Sequence, residues 1–252
     1  METLFIGRNI IFLPQVNSTN SYAIEMLKNV NPAEGTVVHA AEQTEGKGQR
    51  GSVWKTEKTS NLTASLIIKP TFLELKNQHY LYQISALACY DSLTELLDSS
   101  QFDIKIKWPN DILVNKQKIA GVLIENNIAN GQLSWSVIGF GINVNQTIFD
   151  EGFNATSLKL LLKKDIDIKQ LLELFCSHFE KRYLQLNNNK FDLIKEDYLS
   201  RFFRINNWVD FEIDGYQRSL FVEGINAHGL LWLKDNNEKC IYLDVKQVKW
   251  LY

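Results

Sequence analysis

Cysteine and histidine are scarce and scattered in this chain. Three cysteines, Cys89, Cys176 and Cys240, stand far apart with no CxxC pair. That spacing excludes a disulfide framework and a thiolate zinc site, and a reducing cytoplasm is the compartment expected. The four histidines, His39, His79, His178 and His228, show no HExxH and no pair at ligand spacing, so no transition-metal site is expected. Charge is not in excess either: 27 Lys and Arg face 29 Asp and Glu, for a net charge of -2. A near-neutral balance argues against a broad nucleic-acid-binding face. No apolar run approaches the roughly 20 residues of a membrane span, and the first residues lack the basic, apolar, small-residue layout of a signal peptide. Internal repeats and low-complexity linkers are also missing. The 252 residues are enough for one large domain, or a medium one with a small one, folding without a staple.

What is present alternates between strand and helix signals. Residues 3 to 13 are short apolar segments broken by Gly7-Arg8-Asn9, the pattern of a first strand or hairpin. Ala23, Met26, Leu27 and Val30 then recur at helical spacing behind Asn17-Ser18-Thr19-Asn20, with Ser18 or Thr19 as the natural N-cap. The same hydroxyls and helix-terminal N–H groups could instead bind a small polar ligand. A strand is expected over 35 to 42 and another over 61 to 69, ended by Pro70. A long helix follows from Asn77 to about Leu97, with Leu81, Ile84, Leu87, Ala88 and Leu96 as its buried stripe. Asn130-Gly131 between apolar runs marks a hairpin. Helical spacing returns at Ile168, Leu171, Leu172, Phe175 and Phe179, capped by Asp167, and again at Phe191, Ile194, Tyr198 and Phe202. After Ile205 come short strands at 208–213, 218–225, 230–234, 240–244 and 248–252, a small barrel of SH3-like size.

Three stretches carry chemistry. Gly46-Lys47-Gly48-Gln49-Arg50-Gly51 places glycines between cations, so backbone N–H groups can approach an anion that the cations neutralise. It is neither a Walker loop nor a Rossmann turn, and the alternative is a mobile surface loop. Trp54 just beyond it either stacks on a nucleobase or anchors the loop in the core. Lys107-Trp108-Pro109-Asn110-Asp111 reads as strand, tight turn and strand, followed by Lys118-Ile119-Ala120-Gly121. It sets two cations, an amide and a carboxylate close to one hairpin, unless it is an ordinary turn with charged edges. Gly139 and Gly141 interrupt an otherwise apolar strand, which suggests a ligand or another backbone close by, or a simple bulge.

Together these stretches resemble the biotin protein ligases. Lys107 to Asp111 matches that family's KWPND motif unchanged, and Lys118 to Glu125 its K[IL]AGxLxE strand. Gly139-Phe140-Gly141-Ile142-Asn143 resembles its GxGxN strand, Ala155-Thr156-Ser157-Leu158 a common later segment, and Ser18-Thr19-Asn20 its biotin-binding hydroxyl segment. The family's loop usually reads GRGRRGR; here Gln49 and Ser52 replace two of the arginines. The resemblance implies an α+β fold: a mixed-sheet catalytic domain of the class II synthetase and biotinyl/lipoyl ligase type over residues 1–204, and an SH3-like barrel over 205–252. It implies an enzyme of the biotin–[acetyl-CoA-carboxylase] ligase kind, which activates biotin with ATP and Mg²⁺ as biotinyl-5′-AMP and passes it to a lysine of a biotin carboxyl carrier domain. Metal ligation by side chains is not implied, because Mg²⁺ would arrive on ATP. No N-terminal helix-turn-helix is read, so no DNA partner is expected; no membrane partner is expected, and a homodimer stays open.

Roles carry over residue by residue. For biotin the resemblance implies Ser18, Thr19, Asn20, Gln43, Gly46, Lys47, Lys118, Gly121, Gly139 and Gly141. For ATP or the adenylate it implies Lys47, Gly48, Gln49, Arg50, Gly51, Trp54, Asn110, Lys118 and Asn143. Lys118, Asp111, Arg50 and Lys107 are the residues expected to serve the chemistry: cations where two anions meet, and Asp111 beside the incoming amine. A lipoate or octanoyl ligase, which usually carries an RRxGGG loop and lacks KWPND, is the nearest alternative enzyme. A biotin-binding regulatory module without catalysis is the other.

Overall fold

The computed structural model describes residues 2–251, with Arg50 described in its backbone only. Its frame is a seven-stranded sheet in the order β1-β2-β3-β7-β6-β5-β4. The strands are β1 (Ile10–Leu13), β2 (Val37–Ala40), β3 (Leu62–Ile68), β4 (Ile104–Lys107), β5 (Asp111–Val114), β6 (Gln117–Ala129) and β7 (Gln132–Ile142). Of the two readings of residues 3–13, the strand is the one formed: β1 runs parallel to β2, and residues 4–9 before it are turns and bends. All other neighbours are antiparallel.

Helices cover both faces. α1 (Thr19–Asn29) buries Ala23 against Val38, Ile67 and Val137. On the opposite face α2 (His79–Thr94) and α4 (Ile168–Asn187) pack on the sheet and α5 (Phe191–Ser200) packs against both helices, in one core with Leu62, Leu66, Ile138 and Phe140. Phe140 stacks on Phe175 with ring centroids 3.7 Å apart. Double coverage explains why every residue of β3 is buried, as expected for a strand with helices on both sides. Leu96, expected in the stripe of α2, lies past its end and is half-buried. A short helix, α3 (Leu158–Leu162), is capped by Ser157, whose hydroxyl accepts from the Leu160 N–H.

The remaining strands, β8 (Trp208–Ile213), β9 (Tyr216–Ile225), β10 (Leu231–Lys234), β11 (Cys240–Leu243) and β12 (Lys249–Leu251), form an antiparallel sheet ordered β11-β10-β9-β8-β12. That small sheet is consistent with the SH3-like unit read from the sequence; Tyr252, placed in its last strand there, lies outside the described residues. The edge strand β4 is closed by residues 201–203, which donate and accept backbone bonds of 2.8 Å at Ile106, so no bare edge is left beside the Lys107 hairpin. The two sheets share one continuous apolar core.

Candidate active site

Register places the site. Asp111, Gly121, Gly141 and Thr63 are cross-strand partners in one row over β5, β6, β7 and β3. The next row on the same face is Leu123, Gly139 and Ser65. Asp111, Gly121, Gly141, Leu123 and Gly139 of these rows floor a cleft of about 680 Å³, walled by the start of α1, the loop from Lys47 to Lys55 and the 146–155 segment. That size suits a small-molecule site.

Lys118 faces this floor because of a β-bulge. The β5–β6 register shifts between Ile112 and Leu113, so Lys118 opposes Leu113 while Ala120 opposes Ile112. The extra residue, Ile119, turns into the core with no exposed surface, and the lysine is re-aimed to the face of Asp111. Lys118 Nζ lies 2.7 Å from Asp111 Oδ1. A Cβ on Gly121 would sit 3.2 Å from Lys118 Cε and 3.3 Å from Asp111 Oδ1, so the glycine makes room for this pair. The Pro109-Asn110 turn is clamped from behind: Asn110 Nδ2 donates to the Val122 carbonyl and Tyr198 Oη donates to the Pro109 carbonyl at 3.1 Å. Burial, with a smaller contribution from the Asp111 charge, pushes the Tyr198 phenol well above its usual range, so it stays a donor.

At the other end of the cleft lie Ser18, Thr19, Asn20 and Gln43. Ser18 occupies the N-cap of α1, yet its side chain makes no cap bond. Gln43 Oε1 caps instead, accepting from the Thr19 N–H at 2.8 Å and contacting Thr19 Oγ1 at 3.0 Å. The loop between is a small hairpin: Lys47 bridges Val53, the Gly48 N–H donates to the Ser52 carbonyl at 2.7 Å, and the Trp54 N–H to the Gly46 carbonyl at 2.9 Å. Lys47 Nζ donates to Ser21 Oγ at 2.9 Å, across the start of α1. The Trp54 indole reaches into the cleft rather than the core, resting on Gly141 with Lys118 Nζ 5.4 Å from its ring centroid and its own Nε1 buried without a partner.

Most of the residues expected from the sequence line this one cleft, Lys107, Gly48, Gln49 and Asn143 among them. Asn143 also ties the end of β7 to the neighbouring loop, donating from Nδ2 to the Thr156 carbonyl at 3.0 Å. Gly46 and Gly51 are the exceptions. Gly46 is buried under the Trp54 carbonyl and Gly51 sits at the exposed loop tip with φ +77°, so both shape the loop without facing the cleft. The side chain of Arg50 lies outside the described residues. Sequence reading missed the 146–155 wall, including Phe149 and Phe153, and the contribution of Lys249 and Trp250 from the second sheet. Two aromatics in a stretch of Asp, Glu, Gly and Asn were the available signal for the former; nothing local marked the latter.

The sequence model of the biotin/lipoate A/B protein ligase family matches residues 12–143. The chain is 33% identical over 199 residues to the bifunctional ligase/repressor BirA of Bacillus subtilis, covering 77% of this chain and 60% of that one. It is 26% identical over 227 residues to the biotin–[acetyl-CoA-carboxylase] ligase of Paracoccus denitrificans, covering 88% and 92%. Among solved structures, the biotin protein ligase from Aquifex aeolicus in complex with biotin and ATP superimposes with a TM-score of 0.79 at 25% identity, over 97% of this chain and 99% of that one. The chain thus spans 60% of the length of its Bacillus relative.

Proposed function

The chain belongs to the biotin/lipoate A/B protein ligase family, and from that premise we propose that it is an ATP-dependent biotin protein ligase acting in the cytoplasm. The observation that carries this reading is the cleft itself. One end offers the hydroxyl and amide groups of Thr19 and Gln43 to a polar ring, and the other sets Lys118 against Asp111 among further cations. A ureido ring needs hydrogen-bond partners once buried; a dithiolane ring does not, and the polar end favours biotin over lipoate.

A carboxylate has no leaving group and must be activated before an amine can displace anything from it. In the first step an oxygen of the biotin carboxylate bonds to the α-phosphorus of ATP and pyrophosphate leaves. Lys118 stands where both anions would meet, and its positive charge offsets the repulsion between them. Lys47 and Lys107, in the same cleft, supply further positive charge toward the phosphates, and Arg50 is the further cation that the family resemblance implies. Mg²⁺ belongs on the nucleotide oxygens, as is usual for an ion that favours phosphates over all-protein cages; among the described residues no three His, Cys, Asp or Glu side chains converge to hold it. In the second step a neutral lysine amine of a biotin carboxyl carrier domain attacks the carbonyl carbon, AMP leaves and an amide forms. Asp111 orients that amine and takes up its proton once Lys118 has turned to the phosphate. The Trp54 loop excludes water from the mixed anhydride. The catalytic unit is residues 1–204 and the SH3-like unit 205–252.

Biotin-dependent exchange of labelled pyrophosphate into ATP tests the first step alone. Exchange in the unmodified protein, reduced at least about a hundredfold in Lys118→Ala, supports the reading. Exchange driven by lipoate and not by biotin overturns it.

A further inference from the structure

The polar end of the cleft is wired to a carboxylate on the sheet. Glu125 of β6 accepts from Asn20 Nδ2 at 2.7 Å. Asn20 Oδ1 is 2.6 Å from Ser65 Oγ, and Ser65 Oγ is 2.7 Å from Thr19 Oγ1. Asn20, Ser65 and Thr19 are all buried, with 3%, 0% and 3% of their surface exposed. An ionised carboxylate can only accept, so the Asn20 amide must turn its NH₂ to Glu125 and its oxygen to Ser65. The single proton of Ser65 is then committed to Asn20. Thr19 has one proton as well, and both of its protein neighbours, Ser65 Oγ and Gln43 Oε1, are acceptors toward it. Its hydroxyl is a donor within the protein, so what it has left to offer a ligand in the cleft it lines is a lone pair. Gln43 Oε1 is held by the Thr19 N–H, so Gln43 offers its NH₂.

We infer that Glu125 is a positioning residue that fixes the donor–acceptor polarity of the ring-binding end through Asn20 and Ser65, presenting an acceptor at Thr19 beside a donor at Gln43. This rests on the biotin reading, since a cyclic urea carries an N–H donor next to a carbonyl acceptor. The chain is also sterically specified. The Asn20 amide lies flat on Gly139, where an added Cβ would stand 2.9 Å from Asn20 Cγ and 3.0 Å from Nδ2. The glycine in β7 makes space for the asparagine, which links the spacing of the GxG strand to the hydroxyl segment on α1. Without Glu125 only the longer contact to the Leu123 carbonyl, 3.4 Å from Asn20 Nδ2, would hold the amide in this sense, so the relay would run in reverse in part of the population, turning the Thr19 proton to the ligand and lowering the binding-competent fraction.

The test is steady-state kinetics of Glu125→Ala, Ser65→Ala, the double variant and Glu125→Gln, with thermal unfolding of each. The expected result is a KM for biotin raised about tenfold in Glu125→Ala, with the KM for ATP and kcat at saturating biotin within about twofold. Glu125→Gln, which keeps an accepting oxygen, should recover most of the loss. The double variant should be no worse than the poorer single one, because both cut the same chain. An unchanged KM for biotin, or equal increases for biotin and ATP that track melting temperature, would overturn the inference and leave Glu125 a structural residue. An unmodified protein that does not use biotin would instead overturn the underlying functional reading.

Discussion

At the scale of single residues, positions outside the cleft hold its walls in place. Glu180 of α4 is buried and accepts three backbone N–H bonds, from Leu4, Phe5 and Ile6, at 2.7, 2.8 and 3.0 Å. It is the anchor of the chain's first turn, and a carboxylate so placed carries charge-assisted bonds that a neutral side chain cannot replace. Glu180→Ala should destabilise the fold by about 3 kcal/mol, read by chemical denaturation, while leaving biotin KM unaltered in the folded fraction. The candidate site was legible in the sequence where its motif is contiguous: Lys107 to Asp111, Lys118 and Gly121 all reach one cleft. Glu125 and Ser65 were not, because their meaning arises only from the cross-strand register that sets Ser65 opposite Gly139 and from the helix that lowers Asn20 onto it.

At the scale of elements, the same contrast holds. Strands with one exposed face, such as β8, show their alternation and were placed from the sequence with the right bounds. β3, buried on both faces, was also placed, over 61 to 69, whereas the bulge that turns Lys118 has no signature beyond the three-residue spacing to Gly121, one off the period of a strand. The helices are joined by a buried cation. Arg182 of α4 donates from Nε to Asp91 of α2 at 2.9 Å and from a terminal nitrogen to Asp197 of α5. Burial alone would raise the Asp197 carboxyl, but the bonds and charge of Arg182, with Arg201, outweigh it and hold the group below its usual range. A depressed carboxylate contributes stability that is complete above about pH 4 and is lost as pH falls through the lowered folded value. Thermal melts between pH 5 and 2 should therefore fall less steeply for Asp197→Asn than for the unmodified protein, and parallel curves would contradict this. The 46–54 hairpin is expected to close on ligand: biotin with ATP should protect the peptide bonds around Lys47 from protease, and unchanged cleavage would refute closure.

At the scale of the molecule, the second sheet is part of the site's foundation. Trp108 Nε1 donates to the Gly229 carbonyl at 2.9 Å, pinning the Lys107–Asp111 hairpin to the β9–β10 turn. Gly229 has φ +76°, and a Cβ there would stand 2.5 Å from that of His79 on α2. Gly229→Ala should cost at least about 1 kcal/mol for the backbone strain alone, visible as a lowered melting temperature, with the loss larger if the seam cannot give. The central claim, that this cleft joins biotin to a protein lysine, is tested most directly by incubating the purified protein with Mg-ATP, biotin and a purified biotin carboxyl carrier domain, with lipoate as a competing acid, and weighing the carrier by mass spectrometry. The account predicts one biotinyl addition on a single lysine, dependent on ATP, indifferent to lipoate and lost in Lys118→Ala. A carrier that stays unmodified while biotin binds, or one that takes up lipoate instead, would contradict it.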